Sequence, residues 1–299
     1  PEPPDPAQEA RSVDLLGLGG LLVGCGCFPD ESCKVDYSGW SEAVSSRADW
    51  ESVTLVGTDG GCGITTNDTL ACFGSGYPQP LPQGRFTQVV SGRYHMCALR
   101  MDGKASCWGR GATDAPGWTF QKLTSGDDHA CGIDGHGVVR CWGPGVTPVD
   151  GRSAPERAFT DVSAAADYTC GVLEDDGSIE CWGNPAPEIE KNIPEGRFTQ
   201  VSTGESHACA VTHKGQVECW GRNAFGQTDV PDGDYLSVSA GSYFTCALDY
   251  DRRAVCWDDP DIGVHTSRSE FVQIETGRFA ACGVSTDGYW HCWGRHTLQ

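Results

Sequence analysis

Seven cysteine pairs at nearly one spacing constrain this chain more than any other feature. The second cysteine follows the first by ten residues, or by eleven in the fourth pair, and an aromatic residue directly follows each second cysteine. The pairs are Cys62/Cys72, Cys97/Cys107, Cys131/Cys141, Cys170/Cys181, Cys209/Cys219, Cys246/Cys256 and Cys282/Cys292. A unit of this size cannot bury its own apolar face, so the repetition predicts one array of units that pack on their neighbours.

Each unit reads as three short β-strands. The best-preserved copy is Phe198–Gln227, in which a strand, a tight loop, a strand, a glycine turn and a third strand follow one another. Five residues before each first cysteine stands a glycine, replaced by Ala165 in the fourth unit, and an aromatic residue usually stands six positions earlier. No long stretch has helical periodicity, so the class is all-β.

The cysteine spacing predicts a disulfide within each unit. A separation of ten residues around a turn such as Met101–Gly103 places two thiols opposite each other on a hairpin, at a distance that a disulfide can span. Each bridge would close a loop of about 11 residues and contribute roughly 2–3 kcal/mol. Most of the 17 cysteines are paired in this way, which indicates an oxidising compartment. The close Cys-x-x-Cys knuckles of structural zinc sites do not occur, and we expect no metal or other cofactor.

The net charge of −20 argues against nucleic-acid partners, because their binding depends on neutralising phosphates. No pair of carboxylates stands out as catalytic, and no Gly-x-Ser-x-Gly motif occurs, so we expect no catalytic residues.

Three histidines share one repeat position and could form a metal site in a ring: His95, His129 and His207. The same position holds Tyr168, Phe244 and Ala280 in other units. We therefore expect a structural role for these histidines and no bound metal.

The first 48 residues suggest export and tethering. Residues 1–24 read as a leader with an apolar run too short to span a bilayer, and Leu22–Cys25 resembles the lipobox of bacterial lipoproteins. Cys25 is then the expected lipidation site, and Cys27–Cys33 an eighth disulfide; a free or intermolecular thiol is the alternative. Residues 25–48 form a tether before the array, which occupies residues 49–299.

The seventh unit lacks the length for an outer strand after Trp293, which would leave an exposed sheet edge. We expect residues near Val35–Trp40 to supply that strand and to close a ring.

The fifth unit carries the pattern Phe-x-x-Val-x-x-Gly-x-x-His-x-Cys-Ala-Val, followed by Gly-x-Val-x-Cys-Trp-Gly-Arg-Asn-x-Phe-Gly-Gln. This pattern resembles the regulator-of-chromosome-condensation repeat over residues 50–299. The resemblance implies a seven-bladed β-propeller, here with one cysteine pair per blade, built from four-stranded blades around a central channel. The eukaryotic member is a nuclear exchange factor, a role that paired cysteines and acidity disfavour. The chain is more similar to secreted bacterial members such as a β-lactamase-inhibitor propeller, which binds its target through one face.

Carried onto this chain, that face consists of the loops that follow the repeat glycine. The expected binding residues are Arg93, Tyr94, Asp127, Asp128, Asp167, Glu205, Tyr243, Arg278 and Phe279. The first interpretation is a monomeric, non-catalytic propeller that binds another protein and is secreted, or held at the bacterial outer surface or periplasm by a lipid. Two alternatives stay open: a carbohydrate- or cell-wall-binding adhesion module, and an extracellular propeller enzyme that acts on polysaccharide.

Overall fold

The computed structural model describes most of the repeat array and part of the segment before it. The described residues are 32–35, 40–44, 49–56, 60–74, 78–111, 115–144, 154–257, 265–278 and 280–295. Cys25 and Cys27 lie outside them, as do the proposed leader and Phe279.

Twenty-three strands and one short helix occupy these residues. In chain order the elements are β1 (Ser32–Val35), β2 (Trp40–Val44), β3 (Trp50–Val56), β4 (Gly60–Thr65), β5 (Leu70–Gly74), β6 (Phe86–Ser91), β7 (His95–Arg100), β8 (Ala105–Gly109), β9 (Lys122–Ser125), β10 (Ala130–Ile133), β11 (Val139–Trp142), β12 (Phe159–Ala164), β13 (Tyr168–Leu173), β14 (Ile179–Gly183), α1 (Pro187–Glu190), β15 (Phe198–Thr203), β16 (His207–Thr212), β17 (Val217–Gly221), β18 (Tyr235–Ala240), β19 (Thr245–Asp249), β20 (Arg253–Trp257), β21 (His265–Thr276), β22 (Ala280–Ser285) and β23 (Trp290–Arg295).

From β3 onward, the strands form seven antiparallel blades, numbered 1 to 7 in chain order. Blades 1 to 5 are separate three-stranded sheets, and each runs from an inner through a middle to an outer strand. Blades 6 and 7 share the long strand β21, whose first part pairs with β20 and whose second part pairs with β22. The seven-bladed β-propeller expected from the repeat is therefore confirmed.

One disulfide staples each blade, as the cysteine spacing predicts. The two cysteines of each bridge are direct cross-strand partners on the middle and following strands, with Cα atoms 4.0 Å apart. The covalent bond therefore fixes a pairing that the backbone hydrogen bonds already make. In blade order the bridges are Cys62–Cys72, Cys97–Cys107, Cys131–Cys141, Cys170–Cys181, Cys209–Cys219, Cys246–Cys256 and Cys282–Cys292.

The two cysteines of a bridge differ in exposure, which their spacing did not reveal. The first is fully buried in every blade, because it lies on the middle strand between two neighbours. The second is only half-buried in six blades, namely at Cys72, Cys107, Cys141, Cys181, Cys219 and Cys292. Cys256 is the exception at 1% exposed, because strand β21 covers it with His265 opposite.

The eighth expected bridge, Cys27–Cys33, stays a prediction. Cys33 lies on β1, whereas Cys27 lies outside the described residues.

Seven apolar clusters fill the seven seams between neighbouring blades. In the seam between blades 4 and 5, for example, Val172 of β13 packs with Phe198 and Trp220 of the next blade. The aromatic residue after each second cysteine belongs to one of these clusters and is part of the core between two blades.

The seventh seam joins blade 7 to blade 1 and closes the ring. Trp290 is 2% exposed and stacks on Phe73, with ring centroids 4.2 Å apart and planes 12° from parallel. Gln273 Nε2 also donates to the carbonyl oxygen of Val53 across 220 residues of sequence, at 3.4 Å. Contacts this distant in sequence show that the array is circular.

The free edge of blade 7 is covered by residues that precede the array. Strand β2 pairs antiparallel with β23, so that Trp40 lies opposite Arg295 and Val44 opposite His291. Strand β1 adds outside β2. We expected residues near Val35–Trp40 to cover this edge. The strand that does so is β2, Trp40–Val44, which begins where the expected segment ends.

The blades differ from the four-stranded expectation in one respect. Within the described residues, blades 1 to 5 have three strands, with single bridges such as Lys104 to Thr119 marking the start of a fourth. The segments that follow these blades, which would supply the fourth strand, contain prolines. A proline has no backbone N–H to donate to a neighbouring strand. These prolines are Pro78, Pro80, Pro82, Pro116, Pro144, Pro155, Pro185, Pro187, Pro194 and Pro231.

Asp-Gly dipeptides form three of the hairpin turns between middle and outer strands. Gly103, Gly177 and Gly288 have φ of 80°, 73° and 86°, the left-handed region that favours glycine. Among the described residues, no helix has the length and apolar character to cross a membrane.

Candidate protein-binding face and central channel

The ends of the seven inner strands surround a central channel with a volume of about 680 Å³. Serine, threonine, glycine and alanine make up most of its wall, and none of the bridged cysteines lines it. Its mouth lies where the inner strands turn into the middle strands, and we call this side of the ring the loop face. Loops that follow the outer strands reach the same side, because the Arg110 and Arg222 amides donate to the carbonyl oxygens of Tyr94 and Ser206.

The repeat glycine lets neighbouring blades approach closely at the mouth. A Cβ atom on Gly126 would lie 2.0 Å from the carbonyl oxygen of Ala165 in the next blade, and one on Gly204 would lie 2.2 Å from that of Gly241. No side chain fits at such distances, so the glycines set the radius of the channel.

Five of the nine expected binding residues line the channel mouth. They are Arg93, Tyr94, Asp127, Glu205 and Arg278. Asp128 and Asp167 are exposed beside it, and Tyr243 is half-buried in the adjacent loop. Phe279 lies outside the described residues. The loops thus bring together side chains that are far apart in sequence, whereas their role in binding stays a prediction.

Arg93 organises one side of the mouth. Its guanidinium lies 5.4 Å from the ring centroid of Tyr94, and its Nη1 atom lies 3.4 Å from Oδ2 of Asp127. Tyr94 remains 53% exposed. Partial burial raises the pKa of Asp127, and the charge of Arg93 opposes this effect. The result is an exposed aromatic ring held beside a paired cation and anion.

An aromatic pair lies on the loop face outside the channel lining and includes a residue that the sequence analysis did not select. Phe225 packs edge-to-face on Tyr243 with ring centroids 5.5 Å apart, and it is 39% exposed. A hydrogen bond with Tyr243 raises the pKa of Arg278, and Glu205 and Asp127 act in the same direction. Phe225 stands in the repeat motif after Trp-Gly, which was the available signal for it.

The three repeat histidines fasten neighbouring blades. Their Nε2 atoms lie within hydrogen-bond distance of a hydroxyl on the next blade: His95 to Ser125 at 2.7 Å, His129 to Thr169 at 3.0 Å, and His207 to Thr245 at 2.8 Å. Tyr168, at the equivalent position of blade 4, donates instead to the carbonyl oxygens of Gly204 and His207. Among the described residues no group of three or more potential ligands could hold a metal ion.

The hydrogen bonds around His207 define its tautomer. Thr245 donates its hydroxyl proton to the carbonyl oxygen of Gln227, so the same hydroxyl can only accept from His207. Nε2 therefore carries the proton, and Nδ1 has no hydrogen-bond partner among the described residues. Burial lowers the pKa of His207 to about 4, so the ring is neutral at physiological pH.

Glu275 is a second residue that the sequence analysis missed. It lines the channel from β21, and burial raises its pKa to about 7, with the charge of Lys122 acting in the opposite direction. The residue four positions after the leading aromatic is neutral in every other blade, as at Thr124 and Ser239. Comparing the repeats at that one position would have revealed it.

Replacing Glu275 with glutamine should stabilise the propeller at alkaline pH. The pKa of Glu275 lies above its unfolded value, so its contribution favours folding at low pH and is lost as pH rises from about 4.5 through 7. We expect Glu275→Gln to increase the free energy of unfolding by about 1–2 kcal/mol at pH 8 and to leave it unchanged at pH 4. Urea denaturation at both pH values measures this, and an equal effect at both would contradict it.

A family model described as the regulator of chromosome condensation (RCC1) repeat matches residues 86–112 and 198–227, which are blades 2 and 5. Blades 2 and 5 of this chain are therefore RCC1 repeats. The two matched RCC1 repeats contain two of the three histidine fasteners, and the second ends at Gln227, whose carbonyl oxygen accepts from Thr245 and from the indole of Trp257.

Solved structures share the fold of this chain. The CRINKLY WD40 ectodomain of the Arabidopsis thaliana receptor kinase ACR4 is 25% identical with a TM-score of 0.68, covering 82% of this chain and 96% of that one. The ectodomain of the Physcomitrella patens receptor kinase CR4 is 23% identical with a TM-score of 0.72, covering 84% and 76%. Yeast RCC1 (Prp20), solved with Kap60 bound, is 13% identical with a TM-score of 0.62, covering 84% and 81%.

Proposed function

We propose that this RCC1-repeat propeller is an extracytoplasmic, non-catalytic module that binds another protein through its loop face. The observation that carries the proposal is the arrangement of the loop face, where exposed Tyr94 lies at the channel mouth among charged residues and exposed Phe225 lies in a loop outside the channel lining. Large aromatic side chains and arginine dominate the energy of protein interfaces. A ring stapled by seven disulfides presents these groups without an ordering cost on binding.

Two comparisons are consistent with this proposal. The propellers of ACR4 and CR4 are receptor ectodomains, and yeast Prp20 has been solved with a bound protein. The disulfides indicate an oxidising compartment for this chain as well. We extend this to a secreted or bacterial lipid-anchored protein with Cys25 as the anchor, as the likeness to secreted bacterial propellers suggests. Residues 1–24, 25–48 and 49–299 are then its leader, tether and binding domain.

Alanine substitutions on the loop face test the proposal. Tyr94→Ala and Arg278→Ala should each weaken capture of the partner from a native envelope extract at least tenfold, because each removes an exposed group at the channel mouth. Tyr250→Ala is the matched control: Tyr250 is 61% exposed, but it lies at a turn between middle and outer strands on the opposite side of the ring.

The amount of captured protein is compared by quantitative mass spectrometry across wild type and the three variants. Equal capture by wild type and both loop-face variants, or a loss confined to Tyr250→Ala, would move the binding site elsewhere.

A polysaccharide-cleaving enzyme is the second candidate. Asp127 and Glu275 both line the channel, and burial raises the pKa of both carboxyls, which is typical of catalytic acids. Asp127 is already paired with Arg93, which favours the binding interpretation. Release of reducing ends from cell-wall polysaccharide, lost in Glu275→Gln and in Asp127→Asn, would support the enzyme instead.

A further inference from the structure

At the channel wall, one repeat position of the inner strands joins neighbouring blades through a hydrogen bond. We call it the fastener position. In blades 3 to 6, the residue four positions after the leading aromatic accepts a hydrogen bond from a backbone amide of the next blade. Thr124 accepts from Ala164 at 2.8 Å and Ser239 from Thr276 at 2.9 Å, and Ser163 and Ser202 do the same. The hydroxyl at this position therefore accepts the hydrogen bond that joins two blades.

Glu275 occupies the fastener position in blade 7 and does not act as a fastener. Among the described residues, its carboxylate has no hydrogen-bond or ion-pair partner. Glu275 is half-buried in the channel wall, and removing even part of a carboxylate from water without a partner costs free energy. The seam between blades 7 and 1 is already held by Trp290 and Gln273. The stability of the ring thus gives no reason for an acid at this place.

The surroundings of Glu275 supply acceptors and little positive charge. Serine and threonine hydroxyls form most of the polar wall of the channel. The cation that acts on it, Lys122 of β9, is already ion-paired with Asp161 of blade 4. At the mouth, Arg93 is paired with Asp127, and Arg278 is bonded to Tyr243. The described part of the channel is therefore lined by oxygen acceptors, and its cations are paired with groups other than the Glu275 carboxylate.

We propose that the central channel is a binding site for a primary alkylammonium group, which pairs with Glu275. The ligand enters from the loop face, and it is either the lysine side chain of a protein docked there or a free alkylamine. In the first case the inference rests on the proposed function and adds the chemistry of the partner's central contact.

An ammonium group fits this site better than other cations. It is compact and offers three donors, one for the carboxylate and two for neighbouring hydroxyl or carbonyl oxygens. A guanidinium is planar and suits a two-pronged pairing with a carboxylate. A calcium ion takes six to eight oxygen ligands, typically with several carboxylates, and no group of side chains that could hold a metal ion is found among the described residues. The volume of 680 Å³ leaves ample room for an alkyl chain.

Titration with n-butylammonium chloride tests the site directly. At pH 8, we expect saturable shifts in the NMR resonances of the Glu275 carboxyl carbon and of backbone amides in the channel wall. Glu275→Gln should weaken this binding at least tenfold. Glu270→Gln is the matched control, because Glu270 is an exposed carboxylate on the same strand, and it should bind like wild type. Tetramethylammonium, which has no N–H donors, should bind more weakly than n-butylammonium.

Two peptides distinguish the sources of the ammonium group. If a docked protein supplies it, acetyl-Gly-Gly-Lys-Gly-Gly-amide should bind more tightly than n-butylammonium, and Tyr94→Ala should remove the difference. If a free amine is the ligand, n-butylammonium should bind at least as tightly as the peptide, and Tyr94→Ala should have no effect. The same peptide with norleucine in place of lysine should not bind in either case.

Equal binding of n-butylammonium to wild type and to Glu275→Gln, or no saturable binding of either ammonium probe, would overturn the inference. Such a result would leave the proposed function standing if the Tyr94→Ala and Arg278→Ala variants still lose the captured partner. Conversely, ammonium binding with unchanged capture by those variants would support the channel site and reject the loop face as the protein interface.

Discussion

Replacing Trp290 with alanine is expected to lower the free energy of unfolding by about 3–5 kcal/mol. Trp290 is 2% exposed, stacks on Phe73 at 4.2 Å, and lies in the apolar cluster that joins the last blade to the first. Truncating a buried tryptophan removes its transfer free energy and leaves a cavity. Because this seam closes the ring, the substitution weakens the packing between blades 7 and 1, which are the most distant blades in sequence. Guanidinium denaturation under non-reducing conditions measures the loss.

The matched control is Trp118→Ala. Trp118 is 48% exposed, and its ring lies 4.3 Å from the guanidinium carbon of Arg140 at the surface. Its loss should cost about 1 kcal/mol or less. Similar effects of the two substitutions would show that the seam between blades 7 and 1 contributes no more than a surface contact.

Acid should destabilise the propeller by about 3 kcal/mol through His207 alone. The folded state keeps this histidine neutral with a pKa of about 4, whereas the unfolded chain takes up a proton near pH 6.5. The unfolded state then binds more protons between these values, so the stability is present above pH 6.5 and is lost as pH falls towards 4. Burial also lowers the pKa of His95, which acts in the same direction.

The prediction is best measured in the Glu275→Gln background, because Glu275 contributes with the opposite sign between about pH 4.5 and 7. In that background, His207→Gln should flatten the dependence of the free energy of unfolding on pH from 6.5 to 4. His213→Gln, at an exposed turn on the opposite side of the ring, should leave the dependence unchanged. A slope that persists in His207→Gln would assign the acid sensitivity to other groups.

Much of the fold was predictable from the chain, because each landmark of the repeat has a local physical meaning. Two cysteines ten residues apart around an Asp-Gly turn face each other across a hairpin. Cys97 and Cys107 therefore indicate a blade without reference to any other residue. The positive φ of Gly103 follows from the same turn. Seven cysteine-paired hairpins predicted seven blades.

The repeat pattern drew attention to the positions that the blades share, so two residues that differ between blades were not predicted. Glu275 matters because it stands where Thr124, Ser163, Ser202 and Ser239 join neighbouring blades. Phe225 was passed over because its part of the motif was used to identify the repeat and not to find an exposed surface. A consensus describes what the blades share and does not show the positions at which one blade differs.

The amino-acid sequence by itself determined the hairpins, their staples and their number, because those depend on contacts within about 11 residues. Only the tertiary structure decided which side chains meet at the channel mouth and that the ring is closed. Arg93 and Arg278 are separated by 185 residues and yet line one opening, since circular packing brings the same loop of every blade to one side. The desolvation of Glu275 likewise exists only once all seven blades surround it.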